Sequence, residues 1–177
     1  MADHITSMRE VILTDSQGND IGLAEIIDAH TGEGKLHKAF SVYIFGTNGN
    51  EILIQQRSGK KMLFPLVWAN TCCSHPFPGE GAQEAGMRRL QEECGLSCTL
   101  EEAGTLIYKA QDPNGNGVEH EHVTLLKGYM DSQTVPNPHP DEIEDIRWIN
   151  VDDVLREMAD TPEKYAPWFH LGLKQLL

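Results

Sequence analysis

Residues 71–96, TCCSHPFPGEGAQEAGMRRLQEECGL, decide the fold of this chain. The stretch begins with a thiol and an imidazole two residues apart, Cys73 and His75, and then enters a predicted helix over residues 81–94. Gly95 follows, at the place where a residue with left-handed backbone angles commonly ends a helix. Arginines and glutamates three or four residues apart share one flank of a helix. Such a flank beside a Cys/His pair can hold a divalent metal and phosphate oxygens near a reactive thiol, which points to chemistry on a diphosphate.

The composition of the 177 residues is that of a globular chain, with 40% apolar residues and a net charge of −13. We expect residues 1–177 to form one domain, with residues 1–10 as a flexible N-terminal segment. The acidic balance disfavours nucleic acid as a partner, because binding a polyanion over a wide surface needs a basic field. The chain has neither a long apolar run nor an apolar leader, so we expect no membrane span and no signal peptide. Its cysteine spacing favours a reduced, cytoplasmic protein.

Strand and helix signals alternate along the rest of the chain. Runs of β-branched and aromatic residues bounded by turn residues predict strands at 11–14, 38–45, 51–56, 105–110, 118–130 and 143–149. The turn at residues 47–50 joins two of these strands in a predicted hairpin. Helices are predicted at 151–158 and 163–177, with Asn150 and Thr161 as their N-caps. Interspersed strands and helices predict a mixed sheet with helices packed against it.

The segment VEHEHV, at residues 118–123, carries two alternating sets of possible metal ligands. In a strand, Glu119 and Glu121 project to one face, and His120 and His122 project to the other. Two carboxylates on one face repel each other unless a cation lies between them. Alternatively, the histidines are the ligands and the glutamates are solvated. The alternation of side chains along a strand does not distinguish these two possibilities.

The helix and its approach resemble the motif of the Nudix superfamily, G-x5-E-x7-R-E-U-x-E-E-x-G-U, where U is a bulky aliphatic residue. The matching residues are Glu80, Arg88, Leu90, Glu92, Glu93, Gly95 and Leu96. Two positions depart from the motif, because Ser74 replaces the first Gly and Arg89 replaces the first Glu of the R-E-U triplet. In Nudix hydrolases that Glu helps to hold the metal that activates water. A cation in its place disfavours hydrolysis and suits the binding of an intact diphosphate.

Nearly the whole chain, from Val11 to about Leu173, resembles the type I isopentenyl diphosphate isomerases, a family with the Nudix fold. The most specific match is the Trp-x-Asn-x-x-Cys-x-His-Pro run at residues 68–76. Further matches lie at residues 29–31, 36–41, 88–90, 108–110, 119–121 and 166–168. The resemblance implies an α/β (α+β) fold, in which helices sandwich a mixed sheet. It also implies the double-bond shift that turns isopentenyl into dimethylallyl diphosphate in isoprenoid precursor biosynthesis.

Two metal sites are implied by the same resemblance. A site for Mn²⁺, Zn²⁺ or Mg²⁺ is formed by His30, His37, His75, Glu119 and Glu121. A second site would hold Mg²⁺ between the substrate diphosphate, Glu93 and the main-chain carbonyl of Cys73. Imidazole and carboxylate ligands together do not select one of these ions.

The catalytic and substrate-binding roles are likewise implied by the family. Cys73 and Glu121 flank the five-carbon unit as acid and base, with Tyr108 hydrogen-bonded near Glu121. Trp168 supplies π-density to a tertiary carbocation, an attraction of about 2 kcal/mol when it is desolvated. The diphosphate is bound by Arg57, Lys61 and Arg89.

One substrate-binding residue of the family is missing from the sequence. The resemblance places a Lys four residues before His30, where this chain has Ile26, and either Lys35 or Lys60 could compensate. The partner expected is a small-molecule diphosphate, with no nucleic acid and no membrane, and the sequence leaves the oligomeric state open between a monomer and a weak dimer.

Three other functions are alternatives to the isomerase. A Nudix hydrolase would share the retained motif glutamates, but Arg89, Cys73 and the Glu119/Glu121 pair argue against it. A diphosphate-binding module without turnover is favoured only by Ile26. A protein that interacts through an acidic surface leaves the Cys/His/Glu pattern unexplained.

Overall fold

The structure is a computed structural model, and it describes residues 9–177. Most of the predicted N-terminal segment, residues 1–8, lies outside the described residues, whereas Glu10 already belongs to the first strand. The elements are β1 (Glu10–Thr14), β2 (Asp20–Glu25), α1 (Ile26–Ala29), β3 (His37–Gly46), β4 (Glu51–Arg57), β5 (Trp68–Ala69), β6 (Cys72–Ser74), α2 (Ala82–Cys94), β7 (Glu101–Gln111), β8 (Val118–Met130), β9 (Ile143–Asn150), α3 (Val151–Asp160) and α4 (Pro167–Leu176). Within residues 9–177, no helix combines the length and the apolar character that crossing a membrane requires.

Strand β3 lies at the centre of a mixed sheet. Its apolar sequence is buried on both faces, as a central strand requires. On one side it pairs with β8 in parallel along its whole length. Its other edge pairs in turn with β1, β6 and β4, all antiparallel. The predicted β3–β4 hairpin is therefore confirmed, and β7 and β9 extend the sheet beyond β8 and β4.

Helices cover both faces of this sheet. On one face, α2 contributes Leu90 to a core that contains Phe40, Val42 and Leu126. On the other face, α3 and α4 pack over Tyr43 and its neighbours. Because successive residues of a strand point to opposite faces, β3 supplies both cores. The predicted fold, a mixed sheet sandwiched by helices, is confirmed.

The ends of two helices follow their sequence signals. Gly95 ends α2 with φ 65°, and its N–H donates to the carbonyls of Leu90 and Gln91. Asn150 caps α3, since its side-chain oxygen accepts from the backbone N–H of Asp152 at 2.9 Å. Both boundaries confirm the predictions. The first one ends α2, the helix that carries the residues of the Nudix motif and is called the motif helix below.

The predicted C-terminal helix over residues 163–177 is wrong in its first turn. Residues 162–164 form a single 3₁₀ turn, Thr161 makes no side-chain cap, and α4 begins at Pro167. Proline disfavours helical angles in the residue before it, and Ala166 is extended with ψ 136°. The helix therefore starts at Pro167 and places Trp168 in its first turn.

Candidate active site

The register of the sheet brings four strands together at one point. His37, the first residue of β3, lies beside Glu121 of β8 in the parallel pair. Tyr108 of β7 lies opposite Glu121 on the other side of β8. Cys73 of β6 pairs with Ser41, four residues along β3. The pairing of these strands therefore positions His37, Glu121, Tyr108 and Cys73 relative to one another.

The ambiguity at residues 118–123 is resolved by the same pairing. Glu119 and Glu121 are buried, with 8% and 9% of their surface exposed. His120 and His122 point away from them, and His122 packs against Gly18. The glutamates therefore face the interior site, as the resemblance implied.

Three histidines and a glutamate form the core of the cluster. Ligand atoms of His30, His37, His75 and Glu121 all lie within 4.8 Å of one another. His75 Nε2 lies 3.1 Å from His37 Nε2 and 2.9 Å from Glu121 Oε1. Oε2 of Glu119 lies 3.2 Å from His30 Nε2, and this buried oxygen has no hydrogen-bond partner among residues 9–177. Such a donor set, with an unsatisfied carboxylate oxygen, fits a divalent cation.

The tautomers of two imidazoles are set by main-chain carbonyls. Nδ1–H of His30 donates to the Ile26 carbonyl, and Nδ1–H of His37 donates to the Lys35 carbonyl, both at 2.7 Å. A carbonyl can only accept, so in the neutral rings the lone pairs lie on Nε2 and face the cluster. Contacts of this kind orient metal-ligating histidines. His30 is held further by Val118 N–H, which donates to its carbonyl at 2.9 Å.

The charged groups of the cluster shift one another's pKa. Burial opposes a charge on His30, but the Glu119 carboxylate, helped by Glu121, raises the pKa of His30 to about 9. Burial lowers the pKa of His75 to about 3. Burial also opposes a charge on Glu121, yet its contacts with His37 and His75 hold its pKa well below the usual range. Glu121 is therefore an ionised carboxylate in the interior of the protein.

A cavity of about 430 Å³ adjoins this cluster, a size suited to a small ligand. Cys73, Tyr108 and Trp168 line it together with Glu119 and Glu121. Burial raises the pKa of Cys73 to about 12, so its thiol keeps its proton at neutral pH. Tyr108 Oη donates to Glu121 Oε2 at 2.7 Å.

The indole of Trp168 is fixed on one wall of the cavity. Its Nε1–H donates to Oδ1 of Asn70 at 3.1 Å, and Phe64 meets the ring edge to face. Phe64 has the unusual φ of 50°, and its N–H donates to a carboxylate oxygen of Asp112 at 2.8 Å. Asn70 and Asp112 thus support the aromatic wall. Neither role is indicated by the sequence, because a buried Asn and a turn-forming Asp give no signal of the side chain that they orient.

Two of the predicted diphosphate ligands line the cavity. Arg57 donates to the carbonyls of Phe64 and Leu63 at 3.0 and 2.9 Å, and its guanidinium lies 5.2 Å from the centre of the Trp168 ring. Lys61 forms an ion pair with the buried Glu142. Both cations are therefore held in place at the cavity wall by contacts within the chain.

Arg89 and Glu93 occupy a different place from the other predicted residues. Neither is among the residues between 9 and 177 that line the cavity. Arg89 is only 2% exposed and pairs with Glu93 at 2.6 Å, with Glu92 at 2.8 Å and with Glu142 at 3.4 Å. Burial raises the pKa of Glu93. A phosphate contact for Arg89 and a Mg²⁺ contact for Glu93 stay predictions, and the structure gives this pair a further role in a buried ion-pair network.

The NUDIX domain family matches residues 35–169, most of the chain. A solved structure from Deinococcus radiodurans superposes with a TM-score of 0.75 over 96% of this chain and 100% of the other, at 16% identity. A MutT protein from Methanosarcina mazei gives a TM-score of 0.64 over 80% and 92%, at 15% identity. These two likenesses concern the fold alone, and together with the family match they define a Nudix protein.

Two curated relatives narrow the class. An isopentenyl-diphosphate Delta-isomerase of Nocardia farcinica is 44% identical over 158 residues, 89% of each chain. An isopentenyl-diphosphate Delta-isomerase of Pectobacterium atrosepticum is 40% identical over 169 residues, 96% of this chain and 92% of the relative. The chain belongs to the isopentenyl-diphosphate Delta-isomerase family within the NUDIX domain proteins.

Proposed function

We propose that this chain interconverts isopentenyl and dimethylallyl diphosphate, supplying a precursor for isoprenoid biosynthesis. The observation that carries the proposal is that two groups able to exchange protons, Cys73 and Glu121, line one cavity. The Cys73 thiol is protonated because burial raises its pKa to about 12, and the Glu121 carboxylate is ionised because its pKa is held low by His37 and His75. A double-bond shift needs one group to protonate a carbon and another to remove a proton.

The surroundings of this pair suit a cationic intermediate. Protonation of the alkene leaves a tertiary carbocation, and the π-face of Trp168 lines the same cavity. The guanidinium of Arg57 lies 5.2 Å from the centre of this ring, and the negative face of an indole attracts positive charge. Tyr108 donates to Glu121 and thereby fixes the direction in which the carboxylate presents its oxygens. The buried wall limits the water that would quench the cation.

We propose that Mn²⁺, Zn²⁺ or Mg²⁺ binds at His30, His37, His75, Glu119 and Glu121. When bound, such an ion supplies positive charge that offsets the two buried carboxylates. Glu93 and the Cys73 carbonyl would hold a second ion, Mg²⁺, which would supply positive charge for the diphosphate, and Arg57, Lys61 and Arg89 are proposed as the cationic ligands of that group. The oligomeric state proposed is a monomer or a weak dimer.

A hydrolase is less consistent with the contacts of the motif helix. Arg88 donates to both oxygens of Glu80, at 2.7 and 2.9 Å. Arg89 holds Glu92 and Glu93 in ion pairs. Arg89 stands where the hydrolase motif has its first Glu, so this position of α2 carries a cation instead of a carboxylate that could help to hold the metal that activates water.

Proton NMR of isopentenyl diphosphate in deuterium oxide, with the purified protein, Mg²⁺ and Mn²⁺, tests the proposal. We expect dimethylallyl diphosphate with deuterium incorporated. Release of isopentenyl monophosphate and phosphate would instead identify a hydrolase. An unchanged substrate spectrum with both ions present would refute the isomerase.

A further inference from the structure

Arg9, immediately before β1, is a fourth cation on the wall of the active-site cavity, beside Arg57, Lys60 and Lys61. Its Nη2 donates to Oγ of Ser74 and to the carbonyl of His75, both at 3.3 Å. We infer that Arg9 binds the diphosphate of the substrate. This inference rests on the proposed function, because it concerns how the same cavity holds the anionic end of its ligand.

Arg9 lies next to the position where the sequence lacks an expected lysine. The N–H of Ile26 donates to the Arg9 carbonyl at 2.8 Å, so the two residues are neighbours at the edge formed by β1 and β2. The Ile26 side chain is buried and lines the cavity without a charge. Arg9, in the neighbouring chain segment, therefore brings a positive charge to the part of the cavity wall where Ile26 is apolar.

The two lysines suggested as replacements are placed less favourably than Arg9. Lys35 pairs with Asp28 at 2.5 Å, is half-exposed, and does not line the cavity formed by the described residues. Lys60 lines the cavity but is also largely exposed, with 69% of its side-chain surface accessible, and it pairs with Asp141. Arg9 is half-buried, and its guanidinium lies 5.3 Å from the centre of the Phe77 ring.

The chemistry of the guanidinium suits a diphosphate. Its planar fork can donate two parallel hydrogen bonds to phosphate oxygens, and a charged donor to a charged acceptor makes a stronger bond than a neutral pair. The contacts of Arg9 with Ser74 and His75 are at the long end for hydrogen bonds. Phosphate oxygens would offer the guanidinium charged acceptors in place of the neutral Ser74 hydroxyl and His75 carbonyl, which favours binding.

The test compares Arg9→Gln with Arg156→Gln. Glutamine keeps a donor for Ser74 and His75 but removes the charge. Arg156 is 70% exposed and pairs with Asp153 away from the cavity, so it serves as the matched control. The readouts are the Kd of inorganic pyrophosphate with Mg²⁺, by calorimetry, and KM and kcat for isopentenyl diphosphate. We expect Arg9→Gln to raise Kd and KM by about tenfold or more, with kcat within about threefold, and we expect no change in the control.

Two further variants make the result specific. Arg9→Lys keeps the charge without the fork and should raise Kd less than Arg9→Gln does. Ile26→Lys added to Arg9→Gln should return Kd to within about threefold of the parent, because it restores a positive charge at the residue next to Arg9 on the cavity wall. Rescue of this kind would support the inference, because a merely structural Arg9 would not be replaced by a lysine at residue 26.

Other outcomes would overturn the inference. An unchanged Kd and KM in Arg9→Gln would exclude a diphosphate contact. A loss of kcat alone would show that Arg9 acts by holding His75. The Kd of pyrophosphate does not depend on turnover. A higher Kd in Arg9→Gln would therefore support the contact even if the parent protein failed to isomerise isopentenyl diphosphate. That failure would refute only the proposed function.

Discussion

Replacement of Trp168 by phenylalanine tests how the aromatic wall is held. The substitution removes the indole N–H that donates to Oδ1 of Asn70 at 3.1 Å. Asn70 is fully buried, and its amide nitrogen is already engaged with the carbonyls of Val42 and Cys72. Because water does not reach this position, Oδ1 of Asn70 would lose its donor without replacement.

The expected loss of stability follows from this orphaned acceptor. A buried polar group left unsatisfied costs about 1–3 kcal/mol. An unfolding entropy of about 2.1 cal/mol/K per residue gives about 0.37 kcal/mol/K for 177 residues. The Tm should therefore fall by about 3–8 °C from this contact. The smaller ring also leaves unfilled volume, and the stability lost through that volume requires a control.

Trp148→Phe provides that control, because it removes the same atoms from a more exposed place. The Trp148 indole donates to the Thr134 carbonyl at 3.2 Å, and both residues are only half-buried, so water can replace the bond. Thermal unfolding followed by circular dichroism should give a lower Tm for Trp168→Phe than for Trp148→Phe. Equal losses in the two variants would refute the reasoning from Asn70.

The same position also separates the π-face from the hydrogen bond. Phenylalanine keeps a face for the proposed carbocation, whereas leucine keeps only volume. With a cation–π attraction of about 2 kcal/mol, Trp168→Leu should have a kcat lower than Trp168→Phe by up to about thirtyfold. Equal kcat values for the two variants would exclude Trp168 as a stabiliser of positive charge.

Three further predictions concern other parts of the site. Cys73→Ala should lower kcat by at least about a hundredfold while leaving the free energy of unfolding within about 1 kcal/mol, as steady-state kinetics and urea denaturation would reveal; activity within about tenfold of the parent would remove Cys73 as acid or base. Divalent metal at about 100 times its Kd should raise the Tm by about 7 °C over the chelated protein, and His37→Ala should lose most of this rise; a rise of the same size in both proteins would place the metal elsewhere. Hydrogen bonds from Arg88 lower the folded-state pKa of Glu80, so this carboxylate contributes stability above about pH 4.5 that is lost as the pH falls through its folded value. Urea denaturation of Glu80→Gln should accordingly differ from the parent at neutral pH and converge with it in acid, and a gap that is constant with pH would contradict this assignment.

Local signals in the sequence were sufficient for the helix α2 and for the β3–β4 hairpin, but not for the short elements α1 and β6, which precede His30 and carry Cys73. Gly95 predicted where the motif helix ends, because the left-handed backbone angles at that position favour glycine whatever surrounds it. The turn at residues 47–50 and the apolar runs beside it gave the hairpin of β3 and β4. The predicted start of the C-terminal helix was wrong because Thr161 looked like an N-cap, whereas Pro167 keeps the preceding residue extended and so sets the start of the helix.

The residue types of the candidate site were also contained in the sequence, through the Cys/His pair and the resemblance to the isomerase family. The sequence did not decide which face of β8 turns inward, because a strand exposes two equivalent alternating sets. Pairing of β8 with β3 and β7 made that choice and placed Glu119 and Glu121 with the histidines. Burial then gave Glu121 and Cys73 their opposite protonation states, which depend on neighbours that are distant along the chain.

Long-range contacts likewise decided the positions of the cations. Arg89 and Arg57 read alike in the sequence as ligands of a diphosphate, yet Arg89 lies in a buried ion-pair network and Arg57 lies on the cavity wall. Arg9 carried no signal at all, and the edge of β1 and β2 brings it beside Ile26. Sequence patterns determine which groups share one helix or one strand, because those relations are set by local geometry. Only the tertiary structure determines which groups from separate elements share one cavity, because that depends on strand pairing and on what each side chain loses or gains on leaving water.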